Sequence, residues 1–235
     1  MTKPNYDAVE AGPTRAAGEK AVRPRDAATL IIVRRDAAEP RVLMGRRHKS
    51  HSFMPEKWVF PGGRVDRVDY RAPSATELRA PVLTSLLLTG PASKARALGM
   101  AAVRETFEEA GLKLGAAGTA KRLSGPWAEF GADGVLPDLD ALELIGRAIT
   151  PPYRPKRFDA RFFMAEADRL QSLTPAGVSG ELDEIAWVDL TEAMALDLPG
   201  VTRFILQELK LRLGDHDRRP VSLRYARGGR QMETL

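Results

Sequence analysis

The stretch from Ala101 to Leu112, AAVRETFEEAGL, restricts the fold more than any other passage of the chain. Wound as a helix at about 100° per residue, it puts Met100, Val103, Phe107 and Ala110 on one side. Glu105, Glu108 and Glu109 fall on the other side, within roughly a 100° arc. The apolar side demands a surface to pack on. The acidic side carries a penalty, because like charges three or four residues apart cost roughly 0.2–0.5 kcal/mol per pair. Glu108 and Glu109 also sit near the helix C-terminus, where the dipole disfavours negative charge. Gly111 then suits a left-handed stop. A solvated charged face is one account of the pattern. A hard divalent cation is another, since Mg²⁺ takes oxygen ligands, often a few carboxylates with water and phosphate oxygens.

The remaining composition sets outer limits. A chain of 235 residues with 43% hydrophobic content can build one domain with extensions around a real core. There is no cysteine, which excludes disulfides, thiolate metal sites and a cysteine nucleophile. That absence agrees with a reducing, cytoplasmic setting. The N-terminus lacks an apolar signal core, and no apolar run is long enough to span a membrane. The net charge of +5 is scattered, with small clusters at Arg34-Arg35, Arg46-Arg47 and Arg218-Arg219. An anionic small-molecule substrate fits this charge; nucleic acid is not expected, because aromatics are not interleaved with the arginines.

Punctuation along the chain predicts the elements. Residues 1–26, rich in Ala, Gly, Pro and charge, read as a flexible segment. Ala28–Val33 reads as a buried strand, paired with Val42–Met44 through the turn at Asp36–Pro40. Trp58–Phe60 is a third, short strand, stopped by Pro61-Gly62-Gly63. A helix is expected from Pro91 to Ala110. Leu139–Ala148 reads as a helix before Thr150-Pro-Pro152, and Arg161–Ala165 and Ile185–Val188 as strands. Leu190–Leu196 and Thr202–Leu213 read as helices, the second carrying Phe204, Ile205, Leu209 and Leu213 at helical spacing. Residues 214–235 read as a polar tail. Trp58, Trp127 and Trp187 are expected in the core.

Two of these segments, taken together, resemble the Nudix hydrolases. The family pattern is Gly, five residues, Glu, seven residues, then Arg-Glu-apolar-x-Glu-Glu-x-Gly-apolar. Arg104-Glu105-Thr106-Phe107-Glu108-Glu109-Ala110-Gly111-Leu112 matches its second half, with Thr106 at an apolar position. Pro61-Gly62-Gly63 matches the opening loop. Counting from Gly63 brings Asp69 to the first Glu position, 35 residues before Arg104, where the family has 8. A register beginning at Gly90 fails, because it puts Arg96 where a carboxylate belongs. The split motif, with Asp66, Asp69 and the later Arg157-Phe-Asp-Ala-Arg-Phe-Phe163, is similar to the coenzyme A-hydrolysing branch. Of that branch's upstream signature, Leu43 and Arg47 are in register, while Ser52 and Glu56 stand where it has Arg and Gly.

The resemblance implies an α/β/α sandwich with a mixed sheet over residues 27–213, carrying an insertion at 70–96 inside the motif. It implies metal-dependent hydrolysis of a diphosphate, with coenzyme A or an acyl-coenzyme A as leading substrate. A nucleotide sugar, ADP-ribose or dinucleotide is the alternative, and a Nudix-fold module that binds a nucleotide without cleaving it is a second. Glu105, Glu108 and Glu109 are the implied ligands of Mg²⁺ or Mn²⁺, with the Gly63 carbonyl as a further one. Arg104 would orient a glutamate of the set, and Asp69 would brace loop against helix. The general base is open between Glu181, Glu184 and a helix glutamate; both Glu181 and Glu184 could equally be exposed strand-end charges. Arg46 and Arg47, with Gly62 and Gly63, are the candidate substrate-binding positions. The apolar insertion, with Leu83 and Leu86–Leu88, could be a lid, a homodimer contact or a wall shaping the leaving half of the substrate.

Overall fold

The computed structural model describes residues 14–16, 18–50, 54–176, 180–226 and 229–235. Most of residues 1–26, and Ser52 of the upstream signature, lie outside that set. In chain order the strands and helices are β1 (Arg25–Arg34), β2 (Arg41–Arg47), β3 (Trp58–Val59), β4 (Gly62–Arg64), α1 (Ala80–Leu87), α2 (Ala92–Ala110), β5 (Gly115–Ala117), α3 (Pro126–Phe130), β6 (Val135–Pro137), β7 (Glu143–Ile149), β8 (Phe158–Glu166), β9 (Leu182–Asp189), α4 (Leu190–Ala193), α5 (Gly200–Gly214), β10 (Val221–Ala226) and β11 (Gly229–Thr234).

Nine strands form one mixed sheet in the order β11-β10-β7-β8-β1-β2-β3, with β4 also on β1 and β9 on β2. β1 is its axis. It runs parallel to β8 from Arg25↔Phe158 to Val33↔Glu166. Its start pairs with β4 and its end with β2. The run Leu30-Ile-Ile-Val33 is apolar on both faces because both faces are covered. Leu30 and Ile32 join Val103, Phe107 and Leu98 of α2 in one core; Ile31 and Val33 join Phe204, Ile205 and Leu209 of α5 in the other. Helix, sheet and helix therefore stack in three layers, the expected sandwich.

One expected element is corrected. Leu139–Ala148 is not a helix: after a turn at Leu139–Leu142 it continues as β7, between β8 and β10. Four of its seven residues are buried, Leu144 against one layer and Ile145 and Ala148 against the other, so the two-residue alternation that marks a half-exposed strand is lost. At Gly146 the register with β8 shifts, and a Cβ there would lie 2.7 Å from the Val221 carbonyl oxygen. The chain beyond 214 folds as the β10–β11 hairpin, with Val221 and Leu223 buried as β10 runs parallel to β7. Trp127 is buried, whereas Trp58 and Trp187 are half-exposed at the core margin.

The insertion is tied down along its length. Arg96 donates to the Ala72 carbonyl, Ser74 and Glu77; Thr76 donates to Asp138; Lys94 pairs with Asp26. Arg161, 1% exposed, donates to Thr89 and Asp159, and Arg147 grips Asp159 with two further bonds. This network fixes the start of α2 on β1 and β8. No described helix is long and apolar enough to cross a membrane.

Candidate active site

The site is built where β4 meets α2. The Pro61 carbonyl accepts from the Leu30 amide at 3.0 Å, which holds the turn against β1. Gly62 and Gly63 pair with Thr29 and Ala28. At Gly62 a Cβ would stand 2.6 Å from the Ala28 carbonyl oxygen; at Gly63 it would stand 2.5 Å from the Glu105 carboxylate. Only glycine leaves room for backbone and carboxylate to meet so closely. The Gly62 amide donates to Glu109 Oε2 at 2.9 Å. Upstream turn and downstream helix are therefore in direct contact.

Arg104 closes the break in the motif. Its Nε and Nη2 donate to the two oxygens of Asp69 at 2.8 and 3.0 Å, and Nη2 also donates to the Arg64 carbonyl. Its Nη1 donates to Glu108 at 2.6 Å and lies 2.9 Å from Glu105. Asp69 is held in turn by the Asp66 amide at 2.7 Å, within a capping box that opens a single 3-10 turn, Arg67–Tyr70. Burial works against the Arg104 charge, but Asp69, Glu105 and Glu108 outweigh it and leave the guanidinium pKa above its ordinary value. This answers much of the repulsion on the helix face: one buried cation touches two of the three glutamates. Thr106 fits its apolar position because its hydroxyl donates to the Ala102 carbonyl, wholly out of solvent.

The acidic face does not look outward. Glu109 is only 5% exposed. Burial pushes its carboxyl up to about 8; the Gly62 amide and Arg47 pull down, while Glu105 and Glu181 add to the rise. Glu105 is pushed up to about 7, again mainly by burial, against the pull of Arg104. Burial lowers Arg47, whose charge faces Glu109, Glu181 and Glu105. A buried and a half-buried carboxylate that resist ionisation beside one another are suited to a hard cation, which favours their charged form. Among the described residues, no three acidic or histidine side chains already form a closed cation cage. Arg104 occupies Glu105 and Glu108 instead.

A cleft of about 400 Å³ opens beside this face, lined by Glu105, Phe107, Glu108, Glu109, Pro126, Glu129 and Glu181. The structure thus brings Glu181 to the three helix glutamates. It does not bring Glu184, which lies across from Arg46 in the β2–β9 ladder and pairs with it at 3.4 Å, both exposed. Nothing from the insertion lines the cleft. Glu129 was not foreseen; the signal was the spacing of Trp127 and Phe130, whose burial turns Ala128 and Glu129 outward. Glu56, where the resemblance has glycine, adopts a φ of 61°, a conformation glycine takes without strain.

A three-layer sandwich with a carboxylate helix locked to a glycine turn defines a Nudix-type protein. The NUDIX domain profile matches residues 23–209, and the chain belongs to that family. Nudix hydrolase 7 of Caenorhabditis elegans is 27% identical over 183 residues, covering 72% of this chain and 53% of that protein. The chain therefore spans about half the length of the curated relative it matches. The crystal structure of a NUDIX hydrolase from Alicyclobacillus acidocaldarius is 28% identical with a TM-score of 0.59, covering 79% of this chain and 90% of that one. The NUDIX domain of Shewanella oneidensis NrtR, crystallised with ADP-ribose, shares the fold at 11% identity and a TM-score of 0.50, covering 82% and 90%.

Proposed function

We propose that this protein is a hydrolase of nucleoside diphosphate derivatives that depends on a divalent cation. The observation that carries the reading is the meeting of Gly62–Gly63 with Glu105 and Glu109, which brings a backbone able to approach phosphate against a cluster of buried and half-buried carboxylates. Glu105, Glu108 and Glu109, with the Gly63 carbonyl, would hold Mg²⁺ or Mn²⁺. Such an ion, when bound, neutralises diphosphate oxygens and lowers the pKa of an attacking water. Arg104 orients Glu105 and Glu108 from behind, and Asp69 keeps Arg104 in place. Arg47, whose charge is felt by Glu105, Glu109 and Glu181, is the candidate to meet a phosphate oxygen; Arg46 lies opposite Glu184 in the β2–β9 ladder. Glu181, in the cleft, is favoured over Glu184 as the group that takes the proton of the attacking water.

For the flanking group, coenzyme A or an acyl-coenzyme A is the leading candidate, on the split motif and the Arg157–Phe163 segment. ADP-ribose, which the NrtR domain binds, nucleotide sugars and dinucleotides follow. A panel of these compounds, assayed with Mg²⁺ and with Mn²⁺ by phosphate release after phosphatase coupling, tests the reading. Turnover that vanishes in Glu108→Gln and Glu109→Gln supports it. Binding without turnover of any diphosphate would instead favour the non-catalytic module.

A further inference from the structure

We infer that Glu129 is a specificity-determining residue, which makes the α3 side of the cleft accept the uncharged half of the substrate. The inference rests on the proposed diphosphate reading and concerns what lies beyond the diphosphate. α3 is short but well anchored. Trp127 and Phe130 are 2% and 1% exposed. The Phe130 ring meets Phe107 edge-on, with centroids 5.3 Å apart, and Phe107 lies between Glu105 and Glu108 on α2. With both aromatics turned inward, Glu129 is left exposed on the cleft beside Pro126. Its position relative to the acidic helix is thus set by packing.

The charge around the site is lopsided. Among the described residues, the cleft lining holds five carboxylates and no Lys, Arg or His. Arg104 faces Asp69, Glu105 and Glu108, Arg47 approaches from β2, and the Lys113 ammonium, over the Phe107 and Phe130 rings, is paired with Asp133. A substituent bearing a carboxylate or a further phosphate on the α3 side would meet the like charge of Glu129. A substituent bearing hydroxyls or amides would instead donate hydrogen bonds to it. In coenzyme A the pantetheine arm is of the second kind, and the phosphorylated nucleoside half would lie toward Arg47.

UDP-glucose and UDP-glucuronate share one diphosphate and differ by a hydroxymethyl group against a carboxylate. Their dissociation constants are measured on the 235-residue chain with Ca²⁺, by equilibrium binding that needs no turnover. The unsubstituted protein should bind UDP-glucose about tenfold more tightly, Glu129→Gln should narrow the ratio to about threefold or less, and Glu129→Lys should invert it. A ratio near one in the unsubstituted protein, a ratio that neither variant moves, or no binding of either compound overturns the inference. Hydrolysis assayed in parallel with Mg²⁺ keeps the two readings apart. Shifted ratios without turnover would remove the hydrolase and leave the charge selection; turnover with fixed ratios would do the reverse.

Discussion

Asp69 and Arg104 are 35 positions apart in the chain, yet they form a two-pronged ion pair at 2.8 and 3.0 Å, with the Asp69 side chain fully buried. The pair rejoins what the insertion separates. Its loss would leave the guanidinium held by the Arg64 carbonyl and by the carboxylates it is meant to orient.

Asp69→Ala should therefore destabilise the fold by about 3–5 kcal/mol, the usual cost of removing one partner of a buried pair. Asp69→Asn, which keeps the shape and part of the hydrogen bonding, should cost less. Urea denaturation midpoints check both. Equal midpoints for Asp69→Ala and the parent would contradict the bracing role.

The two glycines of the turn should behave differently. Alanine at Gly62 meets backbone, 2.6 Å from the Ala28 carbonyl oxygen and 2.7 Å from Thr29 Cα, which cannot step aside. A loss of about 1–3 kcal/mol is expected. Alanine at Gly63 meets the end of the Glu105 side chain, which can. Its fold should hold to within about 1 kcal/mol, while Mn²⁺ binding weakens by about tenfold or more as Glu105 is displaced. Thermal melts and Mn²⁺ titration of the two variants separate the effects.

The pH dependence of the metal-free protein follows from Glu105 near 7 and Glu109 near 8. Both folded-state values lie above the ordinary glutamate value of about 4.3. The stability they contribute is fully present below that value and is lost as pH rises through about 7 and 8. The melting temperature without metal should fall as pH rises from about 5 to about 8, the span between the unfolded and folded values, and level off above it. Mg²⁺ should restore it, with a gap that widens with pH. Glu109→Gln without metal should lose most of the fall. A flat profile for the metal-free parent would count against this account.

The buried Asp159 site gives an asymmetric pair of variants. Arg161→Met leaves Asp159 with both bonds from Arg147, so a cost of about 1–2 kcal/mol is expected. Asp159→Ala leaves Arg147 and Arg161 facing one another and should cost about 3–5 kcal/mol. Matching denaturation midpoints for the two would show that the network does not hold the charges as described.

Much of the fold was legible because its cues were local. Gly111 caps α2 at a φ of 68°, Pro91 opens it, and Asp36–Pro40 turns β1 into β2. The failure at Leu139–Ala148 has a physical cause: a strand covered on both faces carries no alternation, and the partners that make it a strand lie far away in sequence. In the site, the meeting of Gly63 with Glu105 and of Asp69 with Arg104 could be anticipated from the motif. The separation of Glu184 from the cleft could not, because a one-residue choice of register decides which strand-end carboxylate pairs with Arg46. Glu129 carries no signal in composition; only the packing of its aromatic neighbours reveals it.

The detour between the two halves of the motif passes through an exposed tip, with Leu87 48% and Leu88 67% accessible. Everything that aligns the halves is non-covalent: Gly62 to Glu109, Asp69 to Arg104, Lys94 to Asp26. Backbone continuity at that tip is thus not what assembles the centre. A protease nick there should yield two pieces that stay together, and the pieces, produced separately, should complement one another into one working particle.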